Sequence, residues 1–275
     1  MGTSTSSTGP SSGVSLDPPW LDDVVGNIGK GSTVTPSDGG PPNSPAGATG
    51  NAPPARYGDA RREFGKFAKS GNTQHLRSAI GHYSRRGNGG ASAAASRMRA
   101  STGAGAALFS FLNTVSQGTS AEARQWVDAL RATNPSAEDV VDAIVRELAP
   151  PGGSADEESF RDAMDFALSE LIKDDPTIDP LNMGVNEIWE LMKGYLATEA
   201  ANRLCFDLGP VFESSQLDPR TAVIREREMR RFLKIEVGAH VDLLRGNSAN
   251  PTRFQLDGIL QEALKMTFEL FEADL

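Results

Sequence analysis

Ser154-Ala155-Asp156-Glu157-Glu158-Ser159-Phe160-Arg161-Asp162-Ala163-Met164-Asp165-Phe166-Ala167-Leu168-Ser169-Glu170-Leu171-Ile172 reads as a helix from its first residue. Ser154 and Glu157 have the spacing of a capping box, in which a hydroxyl and a carboxylate satisfy backbone N–H groups that the first turn leaves without partners. Asp156, Glu157 and Glu158 then face the positive end of the helix dipole. Phe160, Met164, Ala167, Leu168, Leu171 and Ile172 recur at three and four residues, so one side can be buried.

The same signals extend in both directions. Upstream, Phe64 and Phe67 sit in a basic helix ending at Ser70-Gly71-Asn72, and Thr73 can cap a second helix carrying Leu76, Ile80 and Tyr83. That helix stops within Arg85-Arg86-Gly87-Asn88-Gly89-Gly90. An Ala/Ser/Gly-rich stretch over 91–107 leads to Leu108, Phe109, Phe111, Leu112 and Val115, with Gly103 and Gly105 as points where the helix could break. Thr119 to Glu122 reads as a second box before Trp126, Val127 and Leu130. Asn134-Pro135 reads as a cap with a first-turn proline before Val140, Val141, Ile144, Val145 and Leu148. Downstream, helices are predicted over Asn186 to Phe206, from Asp218-Pro219 through Ile224, Met229, Phe232, Leu233 and Ile235 towards Leu244, and over Phe254 to Leu270. Period-two alternation is nearly absent, so no sheet is expected.

The first 55 of the 275 residues differ in kind. They are rich in Gly, Pro, Ser and Thr, with Lys30 as their one basic side chain, and carry too little apolar surface to offset the entropy of ordering. One island, residues 14–25, holds Val14, Leu16, Leu21, Val24 and Val25 around Pro18-Pro19-Trp20, a possible docking anchor or a segment that folds back. The expected organisation is an all-α, multi-helix bundle over 56–275, preceded by a long disordered N-terminal tail over 1–55. A possible sub-boundary falls at 150–153.

Composition excludes several functions. No apolar run is long enough for a membrane span, and the N-terminus lacks the basic and apolar regions of a secretory signal. Gly2 to Ser6 matches the loose myristoylation pattern, but the Ala/Arg/Gly-rich body looks bacterial. The single cysteine, Cys205, forms no internal disulfide and suits a reducing cytoplasm; a buried thiol is the expected reading. His75 and His82 could share a helix face, but two histidines without a third ligand do not make a metal site. Asp174, Asp175 and Asp179 lack the regular oxygen spacing of a calcium loop, and no Gly-Lys-Ser/Thr ending marks a phosphate loop. No cofactor and no catalytic residue is expected.

One charge feature has direction. Within a net charge of -9, the residues Arg56, Arg61, Arg62, Lys66, Lys69, Arg77, Arg85, Arg86, Arg97 and Arg99 face only Asp59 and Glu63. Such a run suits a protein contact, inside the fold or between molecules, ahead of nucleic acid. Arg61, Arg62, Lys66, Arg85 and Arg86 are the candidate partner-binding residues, with Pro18, Pro19 and Trp20 in the tail.

The opening Met1-Gly2-Thr3-Ser4-Thr5-Ser6-Ser7, with Gly9-Pro10, Gly13-Val14 and Pro18-Pro19-Trp20, resembles the N-terminus of the QatB family. So do Tyr57-Gly58-Asp59-Ala60-Arg61, Phe64-Gly65-Lys66-Phe67-Ala68, Leu76-Arg77 and Gly81-His82-Tyr83. The resemblance implies a place in a four-gene anti-phage system beside a P-loop ATPase (QatA), a QueC-like enzyme (QatC) and a TatD-like nuclease. QueC-like enzymes activate a deazaguanine carboxylate with ATP and deliver it to an amine. By that analogy, the α-amine of Gly2, freed by removal of Met1, is a candidate acceptor, and Thr3, Ser4, Thr5 and Ser6 are the residues a partner would recognise. The residues themselves establish only a small, unhindered head, with an amine whose pKa near 8 leaves a neutral fraction at pH 7. The other implied role is an adaptor that uses the basic first helices to bring the nuclease to phage DNA.

Overall fold

The computed structural model describes residues 56–150, 154–209, 211, 217–246 and 250–275. Among them are ten α-helices and no strand. The tail, with Gly2, Thr3, Ser4, Thr5, Ser6, Pro18, Pro19 and Trp20, lies outside the described residues, as do residues 151–153 of the sub-boundary.

The helices are α1 (Gly58–Ser70), α2 (Thr73–His82), α3 (Ala91–Ser96), α4 (Arg99–Gln117), α5 (Ala121–Arg131), α6 (Ala137–Leu148), α7 (Ala155–Asp174), α8 (Val185–Leu208), α9 (Pro219–Arg245) and α10 (Arg253–Ala273). A π-helical turn, Tyr83–Asn88, links α2 towards α3. Two long helices organise the packing. α8 lies against α4, α7 and α9, while α10 lies against α2, α3, α4 and α9. α6 packs on α7, and one core cluster includes Val141 and Ile144 of α6 with Met164 and Leu168 of α7.

Trp189 and Tyr195 of α8 are fully buried, with Trp189 edge-on to Phe109 of α4 at 5.2 Å between ring centres. Phe64, Phe67, Leu76 and Ile80 form the buried faces of α1 and α2, as their spacing predicts.

Several caps sit where the sequence places them. Ser154 and Glu157 close their box, Asp218 accepts from the Thr221 N–H ahead of Pro219, and Gly71 ends α1 in the left-handed conformation. Others are displaced. Asn72, not Thr73, caps α2: Thr73 is already helical, and the Asn72 side-chain oxygen accepts from the Gln74 N–H at 2.9 Å. Ser120, not Thr119, caps α5 through the Ala123 N–H, while the Thr119 N–H turns back to the Thr114 carbonyl. Asn134 does not start α6. It adopts a positive φ of 51° and bonds back to Arg131, ending the helix before it; Ser136 and Asp139 form the box that begins α6. Gly103 and Gly105 do not break α4, and the interruption lies at Arg97-Met98. Gly105 is there for packing, since a Cβ would sit 2.7 Å from the Tyr195 ring.

Candidate functional site

The basic run predicted to meet a partner divides into an inward and an outward set. Arg77 is inward: it pairs with Glu236 of α9 at 2.9 Å and Asp274 at 2.7 Å, and its guanidinium stacks near Phe232 and Phe271. Arg97 reaches Asp207 of α8 at 3.7 Å. Arg61 is inward too. Its Nη2 donates to the Asp207 carbonyl at 3.1 Å, and the guanidinium lies over the Tyr57 ring. These three tie the first helices to the C-terminal half, so part of the charge asymmetry is consumed inside the fold.

Arg62, Lys66, Arg85 and Arg86 are exposed. Asp59 is shared by Arg86 and Arg62, the latter at 2.8 Å, and the bond from Arg86 is the main cause holding the Asp59 carboxyl below its usual range. Burial pushes the Glu63 carboxyl up, but hydrogen bonds from Lys66 and His75 outweigh it and leave it lowered. Arg85 has no carboxylate within ion-pair distance among the described residues. Exposed pairs of this kind contribute little to stability. Their cations remain available to an outside surface.

Arg56 and Tyr57 sit against the π turn that carries Arg85 and Arg86. Tyr57 stacks on Tyr83, with ring centres 5.3 Å apart, and Arg56 donates to the Gly87 carbonyl and, at 3.1 Å, to Asn88 Oδ1. Asn88 in turn holds the Tyr83 carbonyl through Nδ2 at 2.9 Å. Gly87 is required here because a Cβ would meet the Tyr57 ring at 2.5 Å. The Tyr83 hydroxyl donates to Asp207 Oδ2 at 2.8 Å, and burial together with the Asp207 carboxylate pushes its phenol well above the ordinary range. Residue 56 is therefore fixed against the π turn, beside Arg85 and Arg86.

The other candidates are structural. Asp175 Oδ1 accepts from the Thr177 N–H and hydroxyl, Asp179 accepts from the Leu181 N–H, and Arg131 pairs with Asp179. His75 bonds Glu63 at 3.0 Å, and burial lowers the His82 pKa. Among the described residues no group of three or more His, Cys, Asp or Glu is placed to hold a metal ion. Burial pushes the Cys205 thiol up to about 11, so it is protonated at neutral pH.

One buried acid has no counterpart in the sequence reading. Glu199 of α8 is 3% exposed and accepts from the Ser159 hydroxyl at 2.9 Å. Burial is the largest cause raising its pKa. The folded state thus holds the proton more tightly than the unfolded chain, and stability falls as pH rises above the unfolded value. Glu199→Gln should raise the urea midpoint at pH 7, with the gain vanishing below about pH 4. A lower midpoint for the variant at pH 7 would contradict this.

No helix among the described residues is long and apolar enough to cross a membrane. Comparison with known families gives one match: the family described as "Qat anti-phage system associated protein QatB" covers residues 89–271, more than half of the chain. The matched span begins after the Tyr57-to-Tyr83 signature and holds the helices from α3 onward. No curated protein and no solved structure matches. On the strength of the family match, the chain belongs to the QatB family, proteins associated with the Qat anti-phage system.

Proposed function

We propose that this protein is a non-enzymatic component of the anti-phage system, assembling with its P-loop ATPase and presenting the Gly2 amine to the QueC-like enzyme. The observation that carries the reading is family membership joined to the glycine that follows Met1. The chemistry is a condensation. ATP converts the deazaguanine carboxylate to an acyl adenylate with release of pyrophosphate, the neutral Gly2 amine attacks the carbonyl carbon, AMP and the amine's proton leave, and an amide remains. Thr3, Ser4, Thr5 and Ser6 offer a small polar head that a narrow site can enclose, and Pro18-Pro19-Trp20 offers a second anchor. The rigid seat of Arg56 and Tyr57 supports this reading, because it gives the tail a fixed point of departure. The direct test is a mass spectrum of the N-terminal peptide from cells carrying all four genes. A peptide starting at Gly2 and heavier by one deazaguanine acyl group is expected; an unmodified Gly2 in protective cells excludes it.

The exposed set on α1 and the π turn supports a partner contact beside the tail root. Reversing Arg62, Lys66, Arg85 and Arg86 to Glu should weaken binding to the ATPase at least about ten-fold. The far-UV spectrum should be unchanged. Arg61 is left out because it holds the Asp207 carbonyl. The same cations favour a second reading, an adaptor that brings the TatD-like nuclease to phage DNA. If the quadruple variant binds the ATPase normally and loses salt-dependent DNA binding, that reading replaces the first.

A further inference from the structure

α7, α8 and α9 leave a groove between them, with a volume of about 1170 Å³. Its walls come from α7 and α9, and its floor from Lys193, Gly194 and Ala197 of α8. Large apolar side chains that normally seek a core stand open along it: Phe166 is 40% exposed, Val223 48% and Ile235 64%. Arg230, held by Glu226, lies over the Phe166 ring and joins the two walls. Of the lining carboxylates, Glu190 and Asp242 hold Lys193, Glu170 pairs with Lys173 and Glu226 with Arg230, which leaves Asp174.

Two further observations indicate what fits. Gly194 sits in mid-helix on the floor, where glycine costs about 0.5–1 kcal/mol relative to alanine. Nothing in the fold demands it, since a Cβ there would meet only the Ala167 Cβ at an ordinary 3.7 Å. Its lack of a side chain deepens the groove. The α9 wall then carries Arg227, Arg231 and Lys234, all exposed and, among the described residues, without an ion-pair partner. They stand at helical spacing between Val223 and Ile235, so the α9 wall is a positive row with an apolar residue at each end, facing Phe166 of α7.

We propose that this groove docks an acidic amphipathic helix from a partner protein. Its apolar face lies over Gly194 and against the α7 wall at Phe166, and its carboxylates meet Arg227, Arg231 and Lys234, with Val223 and Ile235 at the two ends of that row. This is the helix-in-groove mode, with depth supplied by the glycine and orientation by the charges. From Val223 to Asp242 the α9 wall runs about 28 Å at roughly 1.5 Å per residue, the length of a helix of about 19 residues. The site is separate from the tail chemistry and stands if Gly2 proves unmodified.

The test uses the full chain and two labelled synthetic peptides of about 19 residues. Both carry Leu at one helical face. One has Glu on the other face and the second has Lys. Fluorescence anisotropy should show saturable binding of the Glu peptide alone. R227E/R231E/K234E should weaken it at least about ten-fold, and because these side chains are exposed and unpaired the fold should be untouched. Gly194→Leu should also weaken binding about ten-fold by filling the floor, with melting no lower than the parent's. Equal binding of the two peptides, or Glu-peptide binding indifferent to both variants, overturns the proposal. So does a dimer of the parent chain that R227E/R231E/K234E dissociates and that the Glu peptide fails to compete, since the occupant is then a second copy.

Discussion

Gly2→Pro is expected to abolish phage protection completely while the helical body stays folded and bound to the ATPase. Transfer of an activated acyl group needs a nucleophilic nitrogen with room to approach. Proline turns the primary amine into a hindered secondary one inside a ring. Gly2→Val keeps the amine but places a branched group beside it, whereas Gly2→Glu is too large for Met1 to be removed and leaves no free amine at residue 2, and both should also protect poorly. Thr3→Val should cost less, because residue 3 is one peptide removed from the attacking atom. Among the described residues the buried core starts at Ala60, and these changes are expected to leave it alone. Stability should therefore stay within about 0.5 kcal/mol of the parent. Plaque counts, a thermal melt and co-purification with the ATPase separate the outcomes. Full protection from the Gly2→Pro protein would leave the tail as a tether and remove the conjugation chemistry from the proposal.

How much of this was open to reading in the chain depended on whether a feature is local. Caps are local, so Ser154 with Glu157, Asp218 with Pro219, and Gly71 are found by spacing alone. Where two capping residues stand side by side, as at Thr119-Ser120, Asn72-Thr73 and Asn134 to Ser136, backbone direction decides between them, and composition is silent on that. Ile224 and Ile235 follow the apolar period of α9, yet they are 44% and 64% exposed. Periodicity marks a face but does not say whether anything in the same chain covers it, so the groove stayed hidden. The basic run was visible as charge, whereas its division into inward Arg61, Arg77 and Arg97 and outward Arg62, Lys66, Arg85 and Arg86 depends on Asp207, Glu236 and Asp274, more than a hundred residues away in sequence. Glycines were the least legible, because the same residue serves turns, flexibility and close packing.

Gly81 shows the last of these roles and gives the strongest expected effect on stability. It lies in α2 where that helix crosses the end of α10, and a Cβ there would stand 2.4 Å from the Phe271 carbonyl oxygen and 3.0 Å from Leu275 Cγ. The nearer atom is backbone, so no side-chain rotation relieves the clash. α10 would have to shift, and it also packs on α3, α4 and α9. Two effects oppose each other in Gly81→Ala. Helix propensity favours alanine by about 1 kcal/mol. Overpacking against a helix held on several sides costs about 1–3 kcal/mol, more where backbone must move. The clash should win, with a net loss of up to about 2 kcal/mol for alanine and more for valine, whose added methyl groups meet the same carbonyl. For a helical body of this size, a loss of about 2 kcal/mol lowers Tm by about 4–8 °C. Gly194→Ala is the matched control: it is also a glycine inside a helix, but its Cβ has room, and it should gain about 0.5–1 kcal/mol. Melting both variants in one buffer decides the matter. If Gly81→Ala melts at or above the parent temperature, α2 and α10 do not meet as closely here as the structure has them.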